Sequence, residues 1–392
     1  MNALLLAGVI SFVLSCCLGF LVIPLLKRLK AGQPILKYVE IHSDKSGTPT
    51  KGGLFFVLSA VIVFMIFGGY KGRLATVAIS IGLAFMIVGF LDDYIKVFKK
   101  NKEGLPGKYK ILGQVCLGLF VGLVIMFHPD ITIKERKSVE TYIETHNVNI
   151  DKNYNKAKQE FTEQPVKSTK TTIPFVKDNE FDYAKLVTWM GDWAKDWVWL
   201  VFVLVVIFIV TAVSNAANLT DGIDGLATGT SAIIGGTLAI LAWVSGNIIF
   251  SNYLNIMFLP NIGELTIFIG AFVGATIGFL WYNTHPAEVF MGDTGSLALG
   301  GIIAVFAILI RKELLIPIFC GIFVVENLSV IIQRSYFKYT KKKYGEGRRV
   351  FLMAPIHHHY QKKGIPEQKL VQRFFLIGIL LAIVTIVTLK LR

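Results

Sequence analysis

The chain has 392 residues, of which 54% are hydrophobic and only 17% are charged, and its formal net charge is +14. This composition is too apolar for an ordinary soluble domain, and repeated apolar runs of about 18 residues or more indicate a polytopic membrane protein. The basic residues cluster in short loops without a nucleic-acid motif, so they favour anionic lipids or phosphorylated substrates over nucleic acid as partners.

The apolar runs predict an all-α fold with about ten transmembrane helices in a single integral membrane domain, residues 1–392. Helices are expected because a backbone in lipid must satisfy its own hydrogen bonds. The predicted spans are 3–26, 53–69, 74–91, 111–128, 197–214, 226–244, 264–282, 296–310, 313–333 and 371–391. The first run lacks a basic leader and a clear cleavage site, so we interpret it as a retained helix.

Lys and Arg are concentrated in the loops 27–52, 92–110 and 334–370. With ten helices these loops share one side, which the positive-inside rule makes cytoplasmic, and both termini are then predicted to be external, on the periplasmic side. Four basic residues fall on the opposite side, so the rule holds only on balance: Lys71, Arg73, Arg311 and Lys312.

Residues 129–196 form a long polar segment that we predict to be an external (periplasmic) insertion. Near its end Trp189, Trp193 and Trp197 are spaced four residues apart. That spacing predicts an amphipathic, Trp-rich helix whose indole rings anchor it at the outer membrane interface.

Two adjacent acids, Asp92 and Asp93, follow the third predicted span. A carboxylate at a helix C-terminus faces the negative end of the helix dipole, which is unfavourable by about 0.3–1 kcal/mol when exposed. A metal ion, Lys96 or a retained proton is expected to compensate; the alternative is a solvated pair at the lipid interface.

Four polar residues recur at every third position of the run 215–225: Asn215, Asn218, Asp221 and Asp224. In a helical turn they would share roughly one face, and Gly222 and Gly225 would let the backbone approach a ligand. An ordinary interhelical turn is the alternative, since Asn, Asp and Gly are common turn formers.

A second acidic motif lies in the run 283–296, where Asp293 stands between Gly292 and Thr294, just before a predicted helix. Asp293 could cap that helix, or it could bind a metal beside free backbone amides that hold a phosphate.

Three consecutive histidines follow Pro355 in the most basic loop, where adjacent side chains cannot all point one way. Their spacing is a weak indication of zinc, and polar contacts to a phosphate or sugar beside Arg348 and Arg349 are favoured. Glu326, within the ninth span, requires a polar partner or cavity.

These polar clusters all fall on the predicted cytoplasmic face. Carboxylate ligands without cysteine indicate Mg²⁺, and Mg²⁺ with excess basic charge suits phosphoryl transfer involving a lipid phosphate.

The motifs resemble those of the phospho-N-acetylmuramoyl-pentapeptide-transferase family, within the superfamily of polyprenyl-phosphate sugar-1-phosphate transferases. The resemblance rests on Asp92-Asp93, the run 215–225, Met291-Gly-Asp-Thr-Gly-Ser296 and Pro355-Ile-His-His-His-Tyr360. Two departures are Lys51, where the family usually has Met, and the length of the 129–196 insertion.

The resemblance implies an enzyme of the bacterial inner membrane with a cytoplasmic active site. It would transfer phospho-MurNAc-pentapeptide from UDP-MurNAc-pentapeptide to undecaprenyl phosphate, giving lipid I and UMP in peptidoglycan synthesis. Mg²⁺ would be the cofactor, held by Asp293, with Asp92 and Asp93 catalytic and Asn218, Asp221 and Asp224 lining the nucleotide pocket. Membrane lipid and a second copy of the chain, in a homodimer, are further candidate partners.

Further substrate contacts are implied at Lys45, Thr50, Lys96, Lys108, Asn215, Asn283, Phe290, Gln333, His357, His358 and His359. Two routes fit these residues: direct attack by the lipid phosphate after deprotonation by Asp92, which we favour, or a phosphoryl-aspartate intermediate. The rival functions are transfer of GlcNAc-1-phosphate, solute transport and intramembrane aspartyl proteolysis.

Overall fold

A computed structural model describes residues 2–29, 47–67, 73–98, 104–135, 161–162, 164–176 and 179–390. Within these ranges helices dominate and the strands form one short hairpin. The α-helices are α1 (Asn2–Arg28), α2 (Gly53–Ile66), α3 (Arg73–Phe98), α4 (Gly107–Phe127), α5 (Val198–Thr220), α6 (Leu226–Ser245), α7 (Ile248–Leu254), α8 (Gly263–Asn283), α9 (Gly292–Leu309), α10 (Ile316–Phe319), α11 (Gly321–Tyr344), α12 (Ile356–Lys362) and α13 (Glu367–Thr388).

The helices confirm the predicted all-α polytopic fold. Eight helices of the described residues are long and apolar enough to span a membrane, and a bent helix pair would make nine. The remaining predicted span corresponds to α2, whose 14 residues rise about 21 Å, less than the ~30 Å hydrocarbon core. The prediction of external termini stays a prediction.

The ninth predicted span is broken. The helical segment Glu313–Phe319 and α11 meet at an angle of 81°, with Cys320 between them. Gly321 lies at the bend, where an added Cβ would come within 2.8 Å of Leu381 in α13. The bend therefore brings the start of α11 close to α13, and α11 continues to Tyr344 through residues predicted to be loop.

Helix α9 lies at the centre of the bundle, against α2, α3 and α5. Every residue from Gly292 to Leu309 is buried except Asp293. Two glycines allow this close packing, because a side chain at Gly53 would overlap Gly295 and one at Gly89 would overlap the backbone of Asp293. The first turn of α9 is thus held between α2 and α3 with one side chain facing outward.

The described part of the 129–196 segment is mostly irregular. Strands β1 (Lys170–Thr172) and β2 (Glu180–Asp182) form an antiparallel pair. Where one amphipathic helix was predicted, the chain forms three short 3₁₀-helices, Tyr183–Leu186, Thr188–Met190 and Asp192–Trp197. Gly191, at φ +106°, separates the second of these helices from the third because that conformation cannot continue a right-handed helix.

The three tryptophans are nevertheless exposed. Relative exposure is 80% for Trp189, 60% for Trp193 and 51% for Trp197. Their placement outside the membrane, at its interface, stays a prediction.

Candidate active site

Asp92 and Asp93 lie within α3, not at its end, because the helix runs seven residues beyond the predicted span to Phe98. Both side chains are buried, at 0% and 3% exposure. The prediction that the two acids end the helix is therefore wrong, and so is the alternative of a solvated pair at the lipid interface. Buried carboxylates require hydrogen bonds or paired charges, and each acid has a different set.

Asp93 binds the start of α9. Its Oδ2 accepts hydrogen bonds from the backbone N–H of Thr294, at 2.9 Å, and from the Thr294 hydroxyl. Its Oδ1 accepts a longer bond from the N–H of Asp293, at 3.3 Å. A carboxylate is stabilised at a helix N-terminus by the free amides and the helix dipole. Asp93 therefore caps α9, and the alternative that Asp293 caps this helix is wrong.

Asp293 is consequently free to face the site from the first turn of α9. Its Oδ1 accepts a hydrogen bond from Nδ2 of Asn218, at 3.0 Å, and that amide also contacts the Ser296 hydroxyl at 2.8 Å. Asn218 belongs to α5, which extends to Thr220 and so holds the first two polar residues of the 215–225 run in helical geometry. The end of α5 and the start of α9 thus meet at Asp293.

Two lysines join Asp293 to Asp92. Lys96 Nζ lies 3.0 Å from Asp293 Oδ2 and 2.6 Å from Asp92 Oδ2. Lys110 Nζ lies 2.6 Å and 3.0 Å from the same two atoms. Lys110 is not among the predicted substrate contacts, which include Lys108 instead. Lys108 is exposed, with its Nζ 5.2 Å from the Tyr109 ring centroid.

This cluster fits a divalent cation. Oxygen atoms of Asp92, Asp93 and Asp293 lie within 4.8 Å of one another, and carboxylate oxygens are the protein ligands that Mg²⁺ prefers. The formal net charge of the cluster is negative by one, because it contains three carboxylates and two ammonium groups. Asp293 is the accessible member, with 17% of its side chain exposed against 0% for Asp92.

Asp221 follows the last turn of α5, beside the cluster. Burial, followed by the negative charges of Asp293, Asp93 and Asp224, raises its pKa to about 8. At neutral pH Asp221 therefore keeps its proton and can donate a hydrogen bond to a ligand as well as accept one.

Asp221→Asn is expected to raise thermal stability in a pH-dependent way. The folded chain holds this proton more tightly than the unfolded chain, whose ordinary value is 3.8, so the parent loses stability as pH rises from about 4 to about 8. In ligand-free thermal unfolding, the melting-temperature advantage of the variant should grow by a few degrees between pH 5 and pH 8 and then level off. Asp196→Asn, at an exposed carboxylate, is the control; a constant difference across this range would contradict the assignment.

Asp224 is held by a second group of side chains. Its Oδ2 lies 3.0 Å from His285 Nδ1 and accepts the N–H of Ala287 at 3.2 Å. Its own N–H donates to Glu367 Oε1 at 2.7 Å. Asp224, His285 and Glu367 also lie close enough together to hold a metal, but the contacts among them fix Asp224. His285 and Glu367 are not among the predicted site residues, since they lie 61 and 143 residues away from Asp224 along the chain.

Residues 283–290 are held by hydrogen bonds to one another, to α6 and to the segment before α2. Asn283 donates to the Val289 carbonyl at 2.9 Å and accepts from the Thr228 hydroxyl at 2.6 Å. The backbone of Phe290 pairs with Pro49 and Gly52. Thr50, next to that pairing, is buried, and Lys45 lies outside the described residues.

The three histidines point in three directions. His357 Nδ1 lies 3.0 Å from Oε2 of Glu326, and both residues are fully buried, which supplies the partner that this membrane-embedded acid requires. His358 Nδ1 lies 2.8 Å from Oε1 of Gln361. His359 Nδ1 accepts the N–H of Leu352 at 3.1 Å.

His357 reaches the acidic loop. Its Nε2 is buried without a hydrogen-bond partner among the described residues and faces Gly222, where any side chain would overlap the ring. Glycine at 222 therefore lets α12 contact the turn between Asp221 and Asp224.

Two other predicted site residues are used inside the protein. Gln333 accepts the N–H groups of Val350 and Phe351 and donates to the Phe351 carbonyl, and Asn215 donates to Gln114 at 2.6 Å. Both amides thus stabilise the walls of the site.

Comparison with known proteins gives one family and many relatives. The family model described as glycosyl transferase family 4 matches residues 166–311. The chain is 56% identical to the phospho-N-acetylmuramoyl-pentapeptide-transferase of Flavobacterium psychrophilum, covering 99% of this chain and 93% of that protein. It is 53% identical to the protein of the same name from Parabacteroides distasonis and 54% identical to that from Flavobacterium johnsoniae, with the same coverage.

Proposed function

The chain belongs to the phospho-N-acetylmuramoyl-pentapeptide-transferase family, and we propose that it catalyses the reaction that this name describes. It transfers phospho-MurNAc-pentapeptide from UDP-MurNAc-pentapeptide to undecaprenyl phosphate and releases UMP. The observation that supports this proposal best is the cluster of Asp92, Asp293, Lys96 and Lys110 at the start of α9. Acidic metal ligands beside paired ammonium groups are what phosphoryl transfer requires, since its catalysis is mainly positioning and charge neutralisation.

We assign the side chains of the site the following roles. Asp293 binds Mg²⁺, because it is the accessible acid of the cluster, and bound Mg²⁺ neutralises phosphate charge in such reactions. Lys96 and Lys110 contact the donor phosphates, Asp92 accepts the proton of the lipid phosphate, and Asp93 keeps the first turn of α9 in place. Asn218, Asp221 and Asp224 line the nucleotide pocket.

The chain is a multi-pass membrane protein, and we place it in the bacterial inner membrane with this site on the cytoplasmic side. The basic loops support that orientation, because Lys and Arg are retained on the cytoplasmic face. The donor is charged and water-soluble whereas the acceptor is a lipid, so a site at the membrane surface can bind both.

UMP release by the purified protein in detergent tests the proposal. Release from UDP-MurNAc-pentapeptide should require undecaprenyl phosphate, should stop when EDTA removes the metal, and should return with Mg²⁺. UDP-GlcNAc serves as the control donor. Equal turnover of UDP-GlcNAc would indicate another branch of the superfamily, and no UMP from either donor would contradict an enzymatic function.

A further inference from the structure

A basic cavity of about 660 Å³ lies between α11, α12 and the loop that joins them. Its lining includes Arg334, Lys338, Arg349 and Lys362, with Phe337 and Met353 as apolar walls. None of its lining residues carries a carboxylate. Ligand pockets typically enclose about 300–1,000 Å³, so this cavity is large enough for an organic ligand. The positive charge of its lining favours an anion.

The loop that closes the cavity is fixed by side chains of the flanking helices. Gln333 binds two backbone N–H groups of the loop, the Thr340 hydroxyl accepts the N–H of Arg348 at 2.9 Å, and His359 accepts that of Leu352. The position of Arg349 relative to Arg334 and Lys338 is therefore set by hydrogen bonds to three different side chains, and the cavity is preformed.

The cavity begins close to the acidic site. Gln333, in its lining, and Glu326 are seven residues apart in α11, which is about 10 Å along a helix and roughly the same face. Glu326 holds His357 against Gly222, in the proposed nucleotide wall. An extended pentapeptide spans at most about 17 Å, so it can reach from the site into the cavity.

We propose that this cavity binds the peptide of the donor through its carboxylates; the inference rests on the proposed function. A peptide joined to the sugar through its amino end keeps at least its terminal carboxylate, and its α-amine is consumed in that bond. Arg334 and Arg349 can each bind a carboxylate with two parallel N–H groups. Phe337 and Met353 pack against the side chains, so the cavity discriminates donors that carry the peptide from those that lack it.

The test compares two donors, UDP-MurNAc-pentapeptide and peptide-free UDP-MurNAc, by calorimetric binding and by UMP release. Arg334→Gln and Lys338→Gln, at two exposed positions that need not disturb folding, should each weaken binding of the full donor about tenfold, the effect of losing one charge-assisted contact. Binding of the peptide-free donor should not change. Lys342→Gln, in the last turn of α11 and outside the lining, is the matched control, and thermal unfolding checks the fold of every variant.

Equal weakening of both donors would overturn the inference, because the cavity would then act on the nucleotide or its phosphates. Unchanged binding of both would also overturn it. A third result would also contradict the inference: the variants bind both donors as the parent does, but their UMP release no longer differs between phosphatidylglycerol and phosphatidylcholine vesicles. The cavity would then be a lipid headgroup site. If the parent protein releases no UMP from either donor, the proposed function fails; a parent active on the full donor isolates the question of the peptide.

Discussion

Asp293→Asn is expected to abolish turnover, lowering the rate of UMP release by about 10³-fold or more, a typical effect of removing preorganised electrostatic stabilisation. Asn keeps the size of the side chain and can still contact Asn218, but it removes the charge that both Lys96 and Lys110 contact. It also replaces the accessible carboxylate of the cluster with a neutral amide, whose single oxygen is a weaker ligand for Mg²⁺. The rate should be measured across a Mg²⁺ titration, and the residual activity should respond only weakly to the metal.

The control for this variant is Asp196→Asn, which removes an exposed carboxylate from the 3₁₀-helix Asp192–Trp197 and should leave turnover unchanged. Thermal unfolding should show that the Asp293 variant remains folded, since Asp93 still caps α9. Parent-like turnover with an unchanged Mg²⁺ requirement would remove Asp293 from its proposed role.

The class of fold could be predicted because lipid allows few alternatives. A long apolar run in a bilayer has to be helical, so α1, α4, α6, α8 and α13 begin and end within a few residues of the predicted spans. Hydropathy indicates only that a segment is buried in lipid or protein. It therefore predicts the apolar part of a helix and not a polar extension of that helix.

The errors therefore lie where helices continue through polar residues. The third predicted span ends at 91 although α3 runs to Phe98, the fifth ends at 214 although α5 runs to Thr220, and the eighth begins at 296 although α9 begins at Gly292. Asp92, Asn218 and Asp293 belong to these extensions. They remain helical because Asn218 hydrogen-bonds Asp293 and two lysines join Asp293 to Asp92 inside the bundle. The order of residues along the chain does not show such contacts between distant positions.

The bend before α11 could not be predicted from the sequence either. Proline explains many sharp kinks, but Pro317 lies near the start of α10, where proline is tolerated. The angle is instead associated with the contact of Gly321 with Leu381, 60 positions away. The partner of Glu326 was unpredictable for the same reason, since His357 reaches it only after the chain has bent and returned.

The role of Lys110 within the site also could not be predicted from the sequence. The sequence places it in a basic loop among six lysines between residues 92 and 110, and no local feature distinguishes it. In the structure Lys110 is distinguished by its place in the first turn of α4. Its Nζ reaches both Asp92 and Asp293, while Lys108 is exposed. Packing of α4 beside α3 therefore decides which lysine joins the site.

Lys110→Met is accordingly expected to lower the rate of UMP release by about 10²-fold, comparable to the loss of one preorganised charge stabiliser. Methionine keeps much of the side-chain volume but leaves two carboxylates with Lys96 as their shared counter-ion. Lys110→Arg should retain part of the activity, because the charge is kept while the planar guanidinium cannot take the place of a compact ammonium.

Lys185→Met, an exposed lysine of the 3₁₀-helix Tyr183–Leu186, serves as the control for loss of one positive charge. A second readout separates charge neutralisation from folding: extra Mg²⁺ should partly restore the Lys110→Met enzyme, since a divalent cation can offset the same carboxylates, whereas it cannot repair a misfolded chain. A Lys110→Met variant with parent-like kinetics would mean that Lys96 alone neutralises the cluster, and that the contact between α4 and the acids is structural.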